Sequence, residues 1–84
     1  MNTLVDIILP NYNSEKYIDE TLQSIINQSF KNWKLYIVDD ASADSSLELI
    51  EKYSSDKRID IIKLNKNKGP GHCRNQALKL CKSK

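Results

Sequence analysis

The sequence predicts an α/β fold in which three strands and three helices alternate as βαβαβα around a parallel sheet. Three short apolar runs are each followed by a segment whose apolar residues recur at helical spacing. Each connection is long enough for a crossover, and such crossovers are right-handed. With 84 residues, 39% of them hydrophobic and 29% charged, the chain fits one small globular domain. We therefore expect a three-layer, Rossmann-like arrangement.

The first strand and the first helix are predicted within the first third of the chain. Val5 to Leu9 is a mostly apolar run that Pro10 ends, which is typical of a strand with a buried face. After the turn, Asn13 or Ser14 is predicted to cap the helix. The apolar stripe of this helix follows a 3.6-residue period and consists of Ile18, Leu22, Ile25 and Ile26.

The second strand and helix repeat the pattern. Leu35 to Val38 is the apolar run, and Trp33 before it is predicted to be a core residue. Ser42 or Asp44 is predicted to be the N-cap of a helix. The inner face of that helix is expected to carry Leu47, Ile50 and Tyr53.

The third strand is predicted at Ile59 to Leu64, with a loop from Asn65 to Gly69 behind it. Pro70 is favoured at the first position of a helix and is expected to open the third one. The buried side of this helix is predicted to consist of Cys73, Ala77, Leu80 and Cys81.

The two cysteines are predicted to be reduced core residues. Cys73 and Cys81 lie eight positions apart on one predicted helix, hence ~12 Å apart along its axis, beyond the ~7 Å limit for bridged Cα atoms. The spacing matches no metal motif. No apolar stretch approaches the ~18 residues of a membrane span, and no signal sequence is recognisable. We expect a cytoplasmic protein.

Charge is distributed unevenly along the chain. Residues 1–56 carry 4 basic and 10 acidic groups, and residues 57–84 carry 9 basic and 1 acidic group, so the net charges are −6 and +8. The basic third faces phosphates or an anionic membrane, or it is an ordinary lysine-rich solvated surface. For Lys79, Lys82 and Lys84 we favour the solvated surface.

Polar residues follow each predicted strand. In a parallel sheet the carboxyl ends of the strands share one edge, where ligands bind. We therefore expect the first turn Asn11-Tyr12-Asn13, the adjacent acids Asp39 and Asp40, and the Gly69 loop to converge on one crevice. An acid after the second strand can accept a hydrogen bond from a ribose hydroxyl or a base N–H, and an aromatic ring can stack on a base.

Other interpretations of these residues stay open. Tyr12 could be a packed turn aromatic, and one of the acids could be a helix cap or the partner of an arginine. Arg74 could reach a phosphate or pair with Asp39 or Asp40. A dinucleotide cofactor is disfavoured, because the first turn lacks GxGxxG, and no P-loop is present.

Several motifs in order and spacing resemble the start of family 2 glycosyltransferases, GT-A fold enzymes that use nucleotide-diphospho-sugars. The P-x-Y-N turn of that family matches residues 10–13 and its Q-[ST]-[FY] helix end matches residues 28–30. Its VDD-x-S-x-D motif matches residues 38–44. Its N-x-G…RN pattern matches Asn67, Gly69, Arg74 and Asn75.

The resemblance implies a role for each matching residue. Tyr12 would stack near the base, commonly uracil, and Asp40 would accept from the base N–H. Asp39 would be a structural or ribose-side neighbour, and Arg74 would contact base or phosphate. The nucleotide-binding residues implied in this way are Pro10, Tyr12, Asn13, Asp39, Asp40, Gly69 and Arg74.

The sequence also departs from the family pattern. Ala41 stands where the family usually has Gly or Asn, and Cys73 stands where Ala is common. The DxD carboxylates that hold Mn or Mg, the catalytic base and the acceptor site lie in the family beyond Lys84. The resemblance therefore implies that residues 1–84 are the N-terminal nucleotide-sugar-binding part of a glycosyltransferase domain, truncated before the DxD motif. This chain alone would hold no metal and no catalytic residue.

The resemblance implies a UDP-sugar as donor, and a polysaccharide or glycan as acceptor for the full-length enzyme, at or near the inner face of the membrane. No nucleic acid is expected as a partner. The strand that would flank the first strand is missing, so the exposed edge could support a homo-oligomer. The alternative is a non-enzymatic α/β interaction or dimerisation module. A receiver-like module is disfavoured, because its acids would follow the first strand.

Overall fold

The computed structural model describes residues 5–29 and 31–80, with only the backbone of Leu80. Strands and helices alternate along the chain as predicted. The elements are β1 (Val5–Asn11), α1 (Ile18–Asn27), β2 (Trp33–Asp39), α2 (Ser46–Glu51), β3 (Ile59–Lys63) and α3 (Pro70–Leu80). The predicted α/β class and the order βαβαβα are confirmed.

The three strands form a parallel sheet in the order β1-β2-β3. Asn11 at the end of β1 is in register with Asp39, and Asp39 is in register with Lys63 near the end of β3. The three strands therefore end at the same level. As a result, the loops that follow them meet at one edge of the sheet.

The alternation of side chains along the strands separates two apolar layers, one on each face of the sheet. On one face, Leu35 and Ile37 pack with Leu22 of α1 and Ile50 of α2. On the other face, Tyr36 and Val38 pack with the α3 residues Cys73 and Ala77. Because α1 and α2 cover one face and α3 covers the other, the predicted three-layer arrangement is confirmed.

The apolar stripe of α1 lies where the periodicity placed it. Ile18 and Leu22 are buried, and Ile25 and Ile26 pack against the same core. The predicted cap was wrong, since the helix begins at Ile18 with Tyr17 as N-cap. The chain first makes a turn in which the Ser14 carbonyl accepts from the N–H groups of Tyr17 and Ile18.

The start of α2 was also predicted wrongly. The N-cap is Ser45, because Ser42 and Asp44 belong to the loop that precedes the helix. Ile50 is fully buried and Tyr53 packs against the core from just beyond the helix, as expected. Leu47 is only partly buried, and Leu49 packs beside Ile50.

The third helix begins at Pro70, as predicted. Cys73 and Ala77 on its inner side are fully buried. The predicted contacts of Leu80 and Cys81, and the tail lysines Lys82 and Lys84, lie outside the side chains that the structure describes. Within residues 5–29 and 31–80, none of the helices combines the length and the apolar character that crossing a bilayer would require.

Trp33 lies in the core at the amino end of β2 with 1% of its surface exposed, which confirms its predicted role. The guanidinium of Arg58 stacks over its ring at 4.0 Å from the centroid. Two nitrogens of Arg58 donate to the Asp56 carboxylate. This ion pair lies at the amino end of the sheet, opposite to the edge where the loops that follow the strands meet.

Candidate functional site

The loops after β1, β2 and β3 converge at the carboxyl edge of the sheet, as the sequence predicts. The backbone N–H of Asp40 donates to the Asn11 carbonyl at 2.8 Å. The N–H of Leu64 donates to the Asp39 carbonyl at 2.9 Å. The backbone of the two acids is thus hydrogen-bonded to residues at the ends of β1 and β3, the strands on either side of β2.

The Asp40 carboxylate anchors the loop between β3 and α3. Its two oxygens accept from the backbone N–H groups of Lys68 at 2.7 Å and Gly69 at 2.8 Å. The side chain of Asn67 donates to the Asp40 carbonyl. Gly69 has a φ of 89°, which an L-residue rarely adopts, so the glycine allows the loop to present its N–H to the acid.

The Asp39 carboxylate is buried and points to the loop between β2 and α2. One oxygen accepts from Asn11 Nδ2 at 2.8 Å and from Ser42 Oγ at 2.6 Å. The other oxygen accepts from the Ser42 N–H at 3.1 Å. These bonds satisfy a buried charge, so Asp39 has a structural role in this arrangement.

Asn11 is the buried polar residue that connects these loops. Its Nδ2 also lies 3.1 Å from Ser46 Oγ, and its Oδ1 accepts from the hydroxyl of Ser14. The sequence placed Asn11 at this crevice but not among the nucleotide-binding residues. A signal was present, because an asparagine that ends an apolar strand has a buried amide that needs partners.

A second set of hydrogen bonds joins the β1–α1 loop to the β2–α2 loop. Asn13 Oδ1 accepts from the N–H groups of Ala43 at 2.8 Å and Asp44 at 3.3 Å. In return, the Glu15 N–H donates to Asp44 Oδ2 at 3.1 Å. Burial by itself would raise the pKa of Asp44, but hydrogen bonds from Ser46 and from the Glu15 N–H outweigh it and lower the pKa.

The turn after Asp40 is strained. Ala41 has a φ of 60°, in the left-handed region that glycine and asparagine adopt more readily than alanine. Asn13, with a φ of 47°, is in the same region and is a residue type that tolerates it. The strain therefore falls on Ala41, beside the acid that anchors the loop.

A pocket of about 110 Å³ opens between the β1–α1 loop and the start of α3. Its lining combines two prolines, a tyrosine ring, polar groups and a thiol, from Pro10, Asn11, Tyr12, Asp40, Pro70 and Cys73. Tyr12 is 51% exposed although it lines the pocket. Burial raises the pKa of the Cys73 thiol, and the nearby Asp40 carboxylate raises it further. An aromatic face beside a carboxylate suits a flat ring that carries an N–H donor.

The structure divides the residues predicted for the site into three groups. Pro10, Tyr12 and Asp40 line the pocket. Asn13, Asp39 and Gly69 stand behind it in the hydrogen bonds described above. Arg74 is exposed on α3 and is not part of the lining. Asn11, Pro70 and Cys73, which were not among those predicted nucleotide-binding residues, complete the pocket.

The carboxylates at this edge serve as hydrogen-bond acceptors for the surrounding loops. Both oxygens of Asp39 and both oxygens of Asp40 already accept from N–H or O–H donors. Within the described part of the chain, His, Cys, Asp and Glu side chains form no group of three or more that could hold a metal.

The chain matches the family model described as Glycosyl transferase family 2 over residues 6–84. It therefore belongs to the family 2 glycosyltransferases, and its structural neighbours have the GT-A fold. This match confirms the resemblance and the fold that the motifs implied.

Two relatives illustrate the similarity in sequence. The chain is 43% identical over 76 residues to the poly(ribitol-phosphate) beta-N-acetylglucosaminyltransferase TarS of Staphylococcus aureus, covering 87% of this chain and 13% of TarS. It is 38% identical over 76 residues to the UDP-Glc:alpha-D-GlcNAc-diphosphoundecaprenol beta-1,3-glucosyltransferase WfgD of Escherichia coli, covering 90% of this chain and 30% of WfgD. The chain thus spans less than a third of each relative.

The solved structures agree with this assignment. The crystal structure of S. aureus TarS 1-349 in complex with UDP-GlcNAc superimposes with a TM-score of 0.87 and 39% identity, covering 96% of this chain and 24% of that one. A mannosyltransferase from Pyrobaculum calidifontis, in complex with GDP-Man and Mn2+, has a TM-score of 0.84 at 24% identity and shows the shared fold.

Proposed function

We propose that this chain is the donor-nucleotide-binding part of a glycosyltransferase that uses a nucleotide-diphospho-sugar, with UDP as the nucleotide. The observation that carries the proposal is the pocket that Tyr12, whose side chain is exposed, and the buried Asp40 line together. The TarS structure with UDP-GlcNAc, at 39% identity, supports UDP as the nucleotide.

In this proposal Tyr12 stacks on the uracil and Asp40 accepts from its N–H. An ionised carboxylate offers about four lone-pair sites, and the two backbone N–H groups of the β3–α3 loop occupy two of them. Asp40 can therefore hold the loop and still accept from a base. Arg74, one turn into α3, carries a charge that suits a phosphate.

The remaining parts of the reaction are assigned to other residues of a longer protein. The relatives are more than three times as long as the matched segment. Because the described His, Cys, Asp and Glu side chains form no group of three or more that could hold a metal, we propose that any Mn or Mg is held by residues beyond them. We propose that the sugar is transferred to a polysaccharide or glycan acceptor in the cytoplasm, at or near the inner face of the membrane.

Titration of the purified chain with UDP tests the proposal. We expect saturable amide NMR shifts around Tyr12 and Asp40 that do not depend on Mn. Loss of one stacked base costs about 1–3 kcal/mol, so Tyr12→Ala should weaken binding about tenfold or more, and Asp40→Asn should also weaken it. Tyr17→Ala is the matched control, because Tyr17 is 61% exposed and does not line the pocket. No shift at millimolar UDP would contradict the proposal.

The free edge of β1 supports a second proposal, that two copies of the chain associate through it. In the described sheet, β1 pairs only with β2 on one side, and Val5 at its start is 43% exposed. An unpaired strand edge can pair with the same edge of another copy. We expect a dimer in sedimentation at high concentration, and its loss in Val5→Lys. A monomer at all concentrations would contradict this idea.

A further inference from the structure

We propose that Asn11 is a positioning residue that fixes the separation of Tyr12 and Asp40 across the pocket. This inference rests on the proposed function of the pocket. Asn11 is the last residue of β1 and is covalently joined to Tyr12. Its carbonyl accepts the backbone N–H of Asp40 at 2.8 Å. One residue therefore connects the aromatic side of the pocket to the acidic side.

The side chain of Asn11 reinforces that connection. Its Nδ2 lies 2.8 Å from Asp39 Oδ1, 3.1 Å from Ser46 Oγ and 3.3 Å from Ser42 Oγ. An amide nitrogen has two hydrogens, so three oxygens share two donors. Asn11 has 2% of its surface exposed, and its amide is occupied by this network. Although Asn11 belongs to the pocket lining, its side-chain amide is therefore expected to act on a ligand through its neighbours.

The consequence of losing this amide is local. Asp39 is 2% exposed and would lose a donor to its buried charge. A carboxylate with too few donors favours a rearrangement that exposes it to water. Because Asp40 follows Asp39 directly, such a movement displaces the carboxylate that anchors the loop and faces the pocket. Ser42, which also donates to Asp39, moves with the same turn.

Two variants and one matched control test the role. Asn11→Ala removes the amide, and Asn11→Ser keeps one hydroxyl donor in its place. Asn32→Ala is the control, since Asn32 lies at the opposite end of the sheet, where its carbonyl accepts from Val5. UDP affinity and amide hydrogen exchange are measured for each. The exchange of Lys68 and Gly69 reports on the Asp40 carboxylate without any ligand, because both amides donate to it.

We expect Asn11→Ala to weaken UDP binding about tenfold, the factor that corresponds to one net hydrogen bond, with Asn11→Ser in between. The Lys68 and Gly69 amides should exchange faster while the Leu35 amide, which donates to Arg58 at the far end of the sheet, stays protected. The control should match the wild type in both measurements.

Other outcomes separate this inference from the proposed function. If the wild type does not bind UDP, the proposed function fails, and the exchange of Lys68 and Gly69 alone decides the role of Asn11. If both variants bind UDP like the wild type, or if exchange accelerates equally at Leu35, the positioning role is overturned. If neither variant folds, Asn11 is a folding determinant, which also overturns it.

Discussion

The carboxylate of Asp40 accepts the backbone N–H of Gly69 at 2.8 Å, across 29 positions of sequence. This bond ties the end of β2 to the residue that precedes α3. The acid that follows β2 thus holds the loop between β3 and α3, and the glycine at the end of that loop supplies one of the N–H groups that the acid accepts. The acid that suits base recognition is therefore also part of the framework of the pocket.

Asp40→Asn should destabilise the chain by about 2 kcal/mol. The amide keeps one acceptor oxygen and turns its NH2 group towards a backbone N–H, so a charge-assisted bond worth about 1.5–3 kcal/mol is lost. Urea unfolding measures the change. Asp60→Asn is the control, since the Asp60 side chain is 51% exposed and its pair with Lys34 should contribute less than about 1 kcal/mol. Equal effects of the two substitutions would contradict the anchoring role.

Ala41→Gly should stabilise the chain by about 1 kcal/mol. The left-handed backbone costs an L-residue about 1–2 kcal/mol, and glycine avoids that cost while losing part of the gain to a more flexible unfolded chain. Ala43→Gly in the same loop is the control, because Ala43 does not have a positive φ. Thermal unfolding should show a higher midpoint for Ala41→Gly and a lower one for Ala43→Gly. A fall in both midpoints would show that the turn is not strained at Ala41.

Gly69→Ala and Gly71→Ala should have opposite effects, although neither added methyl group would meet another atom within 4 Å. Gly69 has a φ of 89°, so alanine there costs about 1–2 kcal/mol and weakens the hold of Asp40 on the loop. Gly71 lies in the first turn of α3, where alanine is favoured over glycine by about 0.5–1 kcal/mol. Unfolding free energies of the two variants give a direct comparison. Destabilisation of similar size in both would rule out a specific backbone requirement at Gly69.

Acid should destabilise the chain partly through Asp56. Hydrogen bonds from the Arg58 side chain and backbone lower the pKa of Asp56 from its ordinary value of 3.8. A lowered folded-state pKa adds stability above 3.8 that is lost as the pH falls through the folded value. Asp56→Asn should therefore be less stable by about 0.5–1 kcal/mol at neutral pH and show a shallower loss in acid.

The control for this pair is Lys57→Gln, which removes a neighbouring positive charge without touching the contact between Asp56 and Arg58. Urea unfolding between pH 2 and pH 7 should give Lys57→Gln the same acid dependence as the wild type. An Asp56→Asn variant with the wild-type slope would show that the ion pair adds nothing to the acid sensitivity.

The order of the elements and the buried side of α1 could be predicted from the sequence, because both depend on local periodicity. The alternation in β2 and the i, i+4 spacing of Ile18 and Leu22 already determine which side chains face the core. The helix starts were predicted less well. Asn13, Ser14, Ser42 and Asp44 are good caps by residue type, but their side chains take part in hydrogen bonds within and between the two loops that precede the helices.

The sequence by itself determined the parallel α/β sheet, the family and the edge of the sheet at which polar residues meet, since these follow from periodicity, crossover geometry and motif spacing. Only the tertiary structure decided how the polar residues divide. It placed Tyr12 and Asp40 on the pocket, gave Asp39 and Asn13 to the framework behind it, and made Asn11 the connection between them. The physical reason is that each buried donor and acceptor must find a partner, and those partners come from loops about 30 residues apart in the chain.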